Sequence, residues 1–271
     1  MTDRYAVVGN PVAHSKSPQI HAEFARQTKQ DLVYTHLLAP IDGFARTVTT
    51  FENDGGRGLN ITLPFKAEAF QLATECSERA QLAQAVNTLR FDGKKIFGDN
   101  TDGLGLVTDI RHNLKFSIKG KRLLLMGAGG AARGVILPLL QEQPAELVVV
   151  NRTLGKAKEL AQHFSHYGAI SACGYADLKD RSFDVVINST SASLANELPP
   201  LTKNVFTSAC LAYDMTYGQQ TPFLKFAKAS GAAMIADGLG MLVEQAAESF
   251  FIWRGIRPET APVLASFKKN S

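Results

Sequence analysis

The sequence predicts an α/β protein made of two α/β domains, the second a doubly wound, Rossmann-type unit, and three observations carry this. An apolar run, Leu123–Met126, ends in a glycine turn that passes straight into a helical pattern. Further short apolar runs follow it at 147–150, 170–173, 185–188, 212–215 and 234–236, the spacing of buried parallel strands. The first hundred residues alternate strand-like and amphipathic stretches of their own. A chain of 271 residues has the length for two ordinary domains, each with a core.

In chain order, Tyr5–Gly9 reads as a buried strand and leads into a polar loop. Ser17-Pro18 is a helix start, with Ser17 expected as N-cap and Pro18 at the first helical position. A strand is expected over Leu32–Leu38. An amphipathic helix carrying Ile41, Phe44, Val48 and Phe51 should break at Asn53-Asp54-Gly55-Gly56. Leu59–Thr62 is a short strand stopped by Pro64. Helices follow from about Phe65 and, capped by Ser77, to about Gln84. Ala85–Phe91 and Lys94–Gly98 form a hairpin through Asp92-Gly93. Asp102 opens a linker helix ending near Asn113, and Lys119-Gly120-Lys121 precedes the doubly wound part. Pro138 lies inside the helix after the glycine turn, where it removes a hydrogen bond and should kink the helix. The last strong helix runs from Leu239 to Trp253, with Leu242, Ala246, Phe250 and Trp253 along one stripe, and is placed to return to the first domain.

Composition excludes several classes. No run of about 18 apolar residues is present, so no membrane helix is expected. Met1–Tyr5 runs directly into a strand-like stretch, which leaves no room for a signal peptide. Cys76, Cys173 and Cys210 are odd in number and scattered, as suits reduced thiols of a cytoplasmic protein. The six histidines show no metal-ligand spacing, and His163 with His166 reads as a polar helix end, so no metal is expected. A net charge of +4 with dispersed basic residues does not suggest nucleic acid.

The glycine turn is the first chemical signal. Gly127, Gly129 and Ala132 fill G-x-G-x-x-G/A: a tight turn, a close backbone approach to pyrophosphate, and tight helix–strand packing. Gly127, Ala128, Gly129, Gly130 and Ala131 would then cradle phosphate at a helix N-terminus. The second strand ends in Asn151-Arg152-Thr153, with Lys156 beyond, and no carboxylate stands there to take a ribose 2′-hydroxyl. Arg152 and Thr153 suit a 2′-phosphate, which favours NADP over NAD. Polar side chains also gather at strand ends in the first hundred residues: Ser15, Lys16 and Ser17; Asn60 and Thr62, with Lys66 a turn later; Asn87 and Thr88; and Asp99 to Asp102. Such groups suit a polyhydroxylated ligand, although Ser17 and Asp102 are also plain helix caps, and Lys66 also reads as a surface lysine.

Taken together these segments resemble the shikimate dehydrogenase family over nearly the whole chain. The matching pieces are Gly9-Asn10-Pro11-Val12 with Ser15-Lys16-Ser17-Pro18, Asn60-Ile61-Thr62 with Pro64-Phe65-Lys66, Ala85-Val86-Asn87-Thr88, and Gly98-Asp99-Asn100-Thr101-Asp102-Gly103. They continue with Gly127–Ala131, Asn151-Arg152-Thr153, Asn188-Ser189-Thr190-Ser191, Tyr213-Asp214-Met215 with Tyr217, and Gly238 through Gln245. Gln84 departs from the glycine common before the Ala-Val-Asn-Thr segment.

The resemblance implies NADPH-dependent reduction of 3-dehydroshikimate to shikimate in aromatic amino-acid biosynthesis, by a monomer or homodimer. It implies a substrate-binding domain over 1–101, an NADP-binding domain over 102–237, and a C-terminal helical segment over 238–271 packed on the first. Lys66 and Asp102 would be the catalytic pair. Ser15, Ser17, Asn60, Thr62, Asn87, Asp102, Tyr217 and Gln245 would bind substrate, and Glu78, Met215 and Gly238 would join the cofactor residues. Reducing a ketone builds negative charge on its oxygen, so a lysine beside a carboxylate is suitable chemistry. The rivals are an NAD-dependent quinate/shikimate dehydrogenase, which would want an acid near Arg152, and an inactive NADP-binding regulator, which would be expected to lack Lys66 or Asp102.

Overall fold

The structure, a computed structural model, describes residues 2–269. It divides into two compact units: residues up to Gly105 together with those from Leu242 onward, and Leu106–Met241. The chain changes unit inside two helices, at positions 105/106 and 241/242.

The first unit contains β1 (Asp3–Gly9), α1 (Ser17–Thr28), β2 (Leu32–Leu38), α2 (Phe44–Asn53), β3 (Gly56–Ile61), α3 (Lys66–Leu72), β4 (Glu75–Cys76), α4 (Glu78–Ala83), β5 (Thr88–Asp92) and β6 (Lys95–Asp99). Its sheet runs β2-β1-β3-β5-β6-β4. The first three strands are parallel, while β5 is antiparallel to both neighbours, so the sheet is mixed. Ala6, Val8, Leu59, Ile61 and Leu89 project into one core with Phe44, Val48 and Phe65, and the rings of Phe44 and Phe65 stack at 4.9 Å.

The chain crosses to the second unit in α5 (Asp102–Thr108), which continues as one π-type turn over Asp109–Asn113. The second unit holds β7 (Arg122–Met126), α6 (Gly130–Gln141), β8 (Glu146–Val150), α7 (Leu154–His163), β9 (Ile170–Cys173), β10 (Phe183–Asn188), β11 (Phe206–Asp214), α8 (Pro222–Ala229) and β12 (Met234–Ala236). All strands are parallel, in the order β12-β11-β10-β7-β8-β9. Renumbered from β7, this is 3-2-1-4-5-6, whose reversal point lies between β7 and β10, at the strand ends where nucleotides bind.

The chain returns in α9 (Leu239–Arg254) and closes with α10 (Ala261–Lys269). From Leu242 onward α9 belongs to the first unit. The Trp253 indole N–H donates to the Leu89 carbonyl at 2.9 Å, directly over Gly58, where a Cβ would come within 2.6 Å of that carbonyl. Gln245 and Ser249 lie eight and four residues before Trp253, so one helix face carries all three.

Several local expectations are corrected. Ser17 is the first helical residue; Lys16 is the N-cap, and the Ser15 hydroxyl accepts the Ser17 N–H. Ile41 lies outside α2 and is exposed. The strand expected from Ala85 begins at Thr88, the one expected from Ala212 begins at Phe206, and the two-residue strand β4 has no counterpart among the expected elements. Pro138 does lie inside α6, which runs on past it to Gln141. Ser77 does cap α4, accepting the Ala80 N–H. Gln84 ends that helix at φ +50, a left-handed conformation that glycine adopts without strain.

His21 is wholly buried in the first unit, stacked on Tyr34 at 4.2 Å and bordered by Phe24, Phe250 and Trp253. Neither ring nitrogen has a hydrogen-bond partner. Burial pushes its pKa down to about 3. The unfolded chain, at the ordinary value of about 6.5, therefore binds more protons between these two pH values, and stability falls as pH drops through that window. From pH 7 to pH 5 the wild type should lose about 2 kcal/mol more than a His21→Phe variant. Parallel losses in urea titrations at the two pH values would refute this.

Candidate functional site

The polar groups of the first unit converge because the strands that carry them end side by side. Asn60 and Thr88 are cross-strand partners on β3 and β5, so their side chains share one face of the sheet. The loops after β1 and β3 are tied together by Asn10 N–H to the Leu63 carbonyl at 3.0 Å. Gly9 leaves room for Thr62, since a Cβ there would overlap the Thr62 methyl.

Lys66 opens α3 and Asp102 opens α5. Their side chains meet at 2.5 Å, Lys66 Nζ to Asp102 Oδ2, at 19% and 8% exposure. A cation in the first turn of a helix opposes the backbone dipole, so local stability does not explain Lys66 there; the nearby carboxylate offsets it. Asn87 Nδ2 donates to the other Asp102 oxygen at 2.8 Å, and also reaches Thr101 Oγ1 at 2.9 Å and Gln245 Oε1 at 3.3 Å. Both Asp102 oxygens are thus taken by side-chain donors, which sets aside the plain capping reading.

The network extends from Asn87. Its Oδ1 accepts the Thr101 N–H at 2.9 Å and the Thr88 hydroxyl at 2.9 Å. Asn60 Nδ2 reaches the Asn87 carbonyl at 3.2 Å, Thr88 Oγ1 at 3.1 Å and Ser249 Oγ at 3.0 Å, while Asn60 Oδ1 accepts the Tyr34 hydroxyl at 2.8 Å. Ser15 Oγ donates to Ser17 Oγ at 3.1 Å. Asn87, Asp102, Lys66, Gln245 and Asn60 therefore form one connected cluster, and Ser15 and Ser17 a pair. The Asn60 and Asn87 amides each face three acceptors with two hydrogens, so a ligand would have to displace one, the 3.3 Å contact to Gln245 being the weakest at Asn87.

In the second unit the glycine turn has two different reasons for its glycines. Gly127 has φ +108, and a Cβ there would come within 2.8 Å of Ser189 Oγ. Gly129 and Gly130 have ordinary φ and nothing within 4 Å of a Cβ. The protein does not require glycine at these two positions; an approaching ligand would. Gly129 is the N-cap of the twelve-residue α6 and supplies no side-chain cap, so the first N–H groups of that helix suit an anion. Ala132 is fully buried beneath the turn. The residues present fit a dinucleotide pyrophosphate.

At the end of β8, Asn151 Nδ2 closes the turn on the Thr153 carbonyl at 3.0 Å, leaving Arg152, Thr153 and Lys156 exposed. Met215 and Gly238 are brought together, because a Cβ at Gly238 would overlap the Met215 carbonyl. Tyr217 follows β11 in this same unit. Glu78 lies exposed in the first unit, in the first turn of α4, outside the hydrogen-bonded cluster. Among the described residues no group of three His, Cys, Asp or Glu side chains could hold a metal ion, and no helix is long and apolar enough to cross a membrane.

Sequence reasoning missed several supporting residues. Tyr34 and Ser249 complete the Asn60 shell, and the signal for Ser249 was available, four residues after Gln245 on an apolar helix. Buried Asp214 accepts from Asn188 at 3.1 Å, Ser193 at 2.6 Å and Thr221 at 2.7 Å, joining the loops that follow β10 and β11.

Three family models match the chain: shikimate dehydrogenase substrate binding domain at residues 7–89, shikimate / quinate 5-dehydrogenase at 110–199, and shikimate 5'-dehydrogenase C-terminal domain at 238–266. The shikimate dehydrogenase (NADP(+)) of Herminiimonas arsenicoxydans is 61% identical over 99% of this chain and 98% of its own. An Ael1 enzyme from Pseudomonas putida superposes with a TM-score of 0.93 at 48% identity, covering 98% of each chain. The shikimate 5-dehydrogenase of Thermus thermophilus, solved with NADP(H) and shikimate, gives 0.89 at 31% identity over 99% of each chain.

The two kinds of glycine separate experimentally. Gly127→Ala should lower stability by about 1–3 kcal/mol through its positive φ and the Ser189 contact. Gly129→Ala should leave stability within about 0.5 kcal/mol and still weaken nucleotide binding. Urea unfolding and NADPH titration of both variants check this; equal stability losses would contradict it.

Proposed function

Because the chain belongs to the shikimate dehydrogenase family, we propose that it catalyses the reversible NADPH-dependent reduction of 3-dehydroshikimate to shikimate in aromatic amino-acid biosynthesis. It is an NADP-dependent oxidoreductase acting on a CH–OH group. In this reading the first unit is the substrate domain and the second the cofactor domain, in a cytoplasmic protein acting as monomer or homodimer.

The observation that carries the chemistry is the 2.5 Å contact between Lys66 and Asp102. Bound NADPH supplies the hydride. Lys66 then serves the carbonyl oxygen, giving it a proton or balancing the negative charge that grows there. Asp102 holds Lys66 in place and is itself held by Asn87. Ser15, Ser17 and Thr62 take the substrate's carboxylate and hydroxyls together with Asn60, Asn87, Gln245 and Tyr217. Hydroxyl and amide groups are suited to this, since each offers both a donor and an acceptor to a polyol.

In the second unit Gly127 to Ala131 hold the pyrophosphate, with Met215, Gly238 and Glu78 as further cofactor contacts. Asn151, Arg152, Thr153 and Lys156 read the 2′-phosphate. Arg152 is exposed beside Thr153, and Asn151-Arg152-Thr153 contains no carboxylate to repel a phosphate. A fork of guanidinium donors suits that group.

Loss of NADPH absorbance on addition of 3-dehydroshikimate to the purified protein tests the reaction, with quinate and NADH as comparison substrates. Lys66→Ala should lower kcat by about 10²-fold or more while shikimate affinity stays within a few-fold. An unchanged kcat removes Lys66 from the chemistry. Arg152→Ser should lower the preference for NADPH over NADH by about 10-fold or more, read from the ratio of kcat/KM values. A constant ratio refutes the 2′-phosphate assignment.

A further inference from the structure

We propose that Arg79 is a positioning residue for the reaction, which through Asp99 sets the aim of the Lys66–Asp102 pair. The inference rests on the catalytic reading of that pair given above.

A chain of consecutive contacts carries it. Arg79 lies in α4 and grips Asp99 with two parallel bonds, Nε to Oδ1 at 2.7 Å and an Nη nitrogen to Oδ2 at 2.6 Å. Asp99 is 4% exposed, and its Oδ1 also accepts the Ser77 hydroxyl and, at 2.7 Å, the Asn100 N–H. Asn100 Oδ1 in turn accepts the Asp102 N–H at 3.2 Å, and Asn100 Nδ2 is anchored on the Ala85 carbonyl at 3.0 Å. Asp102 then meets Lys66. The Asp99 and Asn100 side chains each fix the backbone of a residue further along, and the two ends of the path, Arg79 to Asp99 and Asp102 to Lys66, are side-chain ion pairs. The backbone carbonyl of Asp99 also accepts the Asn87 N–H at 2.9 Å, so the same residue holds the second partner of Asp102.

Arg79 is braced from the other side as well. It donates to Glu248 of α9 at 3.1 Å, and Glu248 is also paired with Arg257. A buried ion pair is a poor device for stability alone, because desolvation offsets much of its attraction, whereas a planar fork on a carboxylate fixes orientation. The two carboxylates that flank the short β6–α5 loop have opposite duties. Asp99 is neutralised and immobile; Asp102 faces its lysine. The fork keeps the first from competing with the second.

The test compares Arg79→Met and Arg79→Lys, each alone and combined with Asp102→Asn. Steady-state kcat and KM are measured across pH, with NADPH-binding stoichiometry counting the folded sites. Arg79→Met should lower kcat per binding site by about 10-fold to 100-fold, the scale of a misplacement of about 1 Å, with the KM for NADPH within about two-fold. Arg79→Lys, which keeps the charge and loses the fork, should recover part of that loss. The pH limb of kcat should move in Arg79→Met, and in the Asp102→Asn background the same substitution should add less than about two-fold. The proposal is overturned by an unchanged kcat per site, or by a loss as large with Asp102→Asn as without it. Should Asp102→Asn and Lys66→Ala themselves keep wild-type kcat, the catalytic reading falls and this proposal with it. A loss in those two variants with none in Arg79→Met removes only the role of Arg79.

Discussion

The polar cluster of the first unit depends on which way the Asn87 amide faces, and its neighbours leave no choice. The Thr101 backbone N–H can only donate, so Asn87 must turn its oxygen toward it. The Asp102 carboxylate accepts from Lys66 on one oxygen and faces the Asn87 nitrogen with the other. Asn60 is settled the same way, because the Asn87 carbonyl beside its nitrogen can only accept, which obliges Tyr34 to donate to its oxygen. Burial pushes the Tyr34 phenol well above its ordinary pKa, so it keeps the proton this requires. Donors therefore point in sequence from Tyr34 through Asn60 and Asn87 to Asp102. A buried network with one consistent direction is rigid, since reversing any member would strand a donor or acceptor away from water.

The glycine turns of the second unit are built on an opposite principle, in which shape does what hydrogen bonds do in the first unit. Gly127 is squeezed between the end of β8, whose Val150 carbonyl takes its N–H at 2.8 Å, and Ser189, which is itself fixed on the Met126 carbonyl at 2.6 Å. Gly238 lets the chain pass against Met215, and Gly240 lets the first turn of α9 pass against Asp109. Asp109 is held there by the Tyr213 hydroxyl at 2.7 Å and Asn113 at 2.9 Å. Small residues at these points let the backbone pass close to its neighbours, whereas Gly129 and Gly130 face open space.

Most strands and helices were legible in the sequence because burial writes a period into it: Leu123–Met126 and Leu147–Val150 are continuous apolar runs, as strands covered on both faces must be. Where single-residue rules failed, the neighbouring residues had overruled them. Ser17 has the chemistry of an N-cap, but the Ser15 hydroxyl reaches its N–H and Lys16 takes the cap position. Ile41 continues the apolar stripe of α2 in sequence and yet lies outside the helix. The candidate site was visible as polar residues at strand ends, and its assembly was not. Asn60 and Ser249 stand 189 positions apart, and no periodicity connects them. The left-handed Gln84 shows the converse, a departure from glycine at a position whose backbone has the positive φ that glycine favours.

The fold bears several placements that stability alone would not select. A lysine opens α3 against its dipole, a histidine is buried with both nitrogens unbonded, and a doubly gripped aspartate ends β6 three residues before the aspartate that meets Lys66. All three lie in the first unit. The helix α9 borders the histidine and braces the arginine that grips the aspartate. Its Trp253 is bonded to β5, Ser249 and Gln245 complete the polar cluster one and two turns earlier, and Phe250 and Trp253 border the His21 ring. Glu248, on the adjoining face, braces Arg79. One rigid helix thus carries apolar anchors and polar ligands at a spacing of four residues, and the packing of the anchors fixes the height of the ligands. That coupling explains why a segment so distant in sequence from Asn60 and Asn87 belongs to the same unit: without its apolar face, the polar face would have no fixed position from which to act.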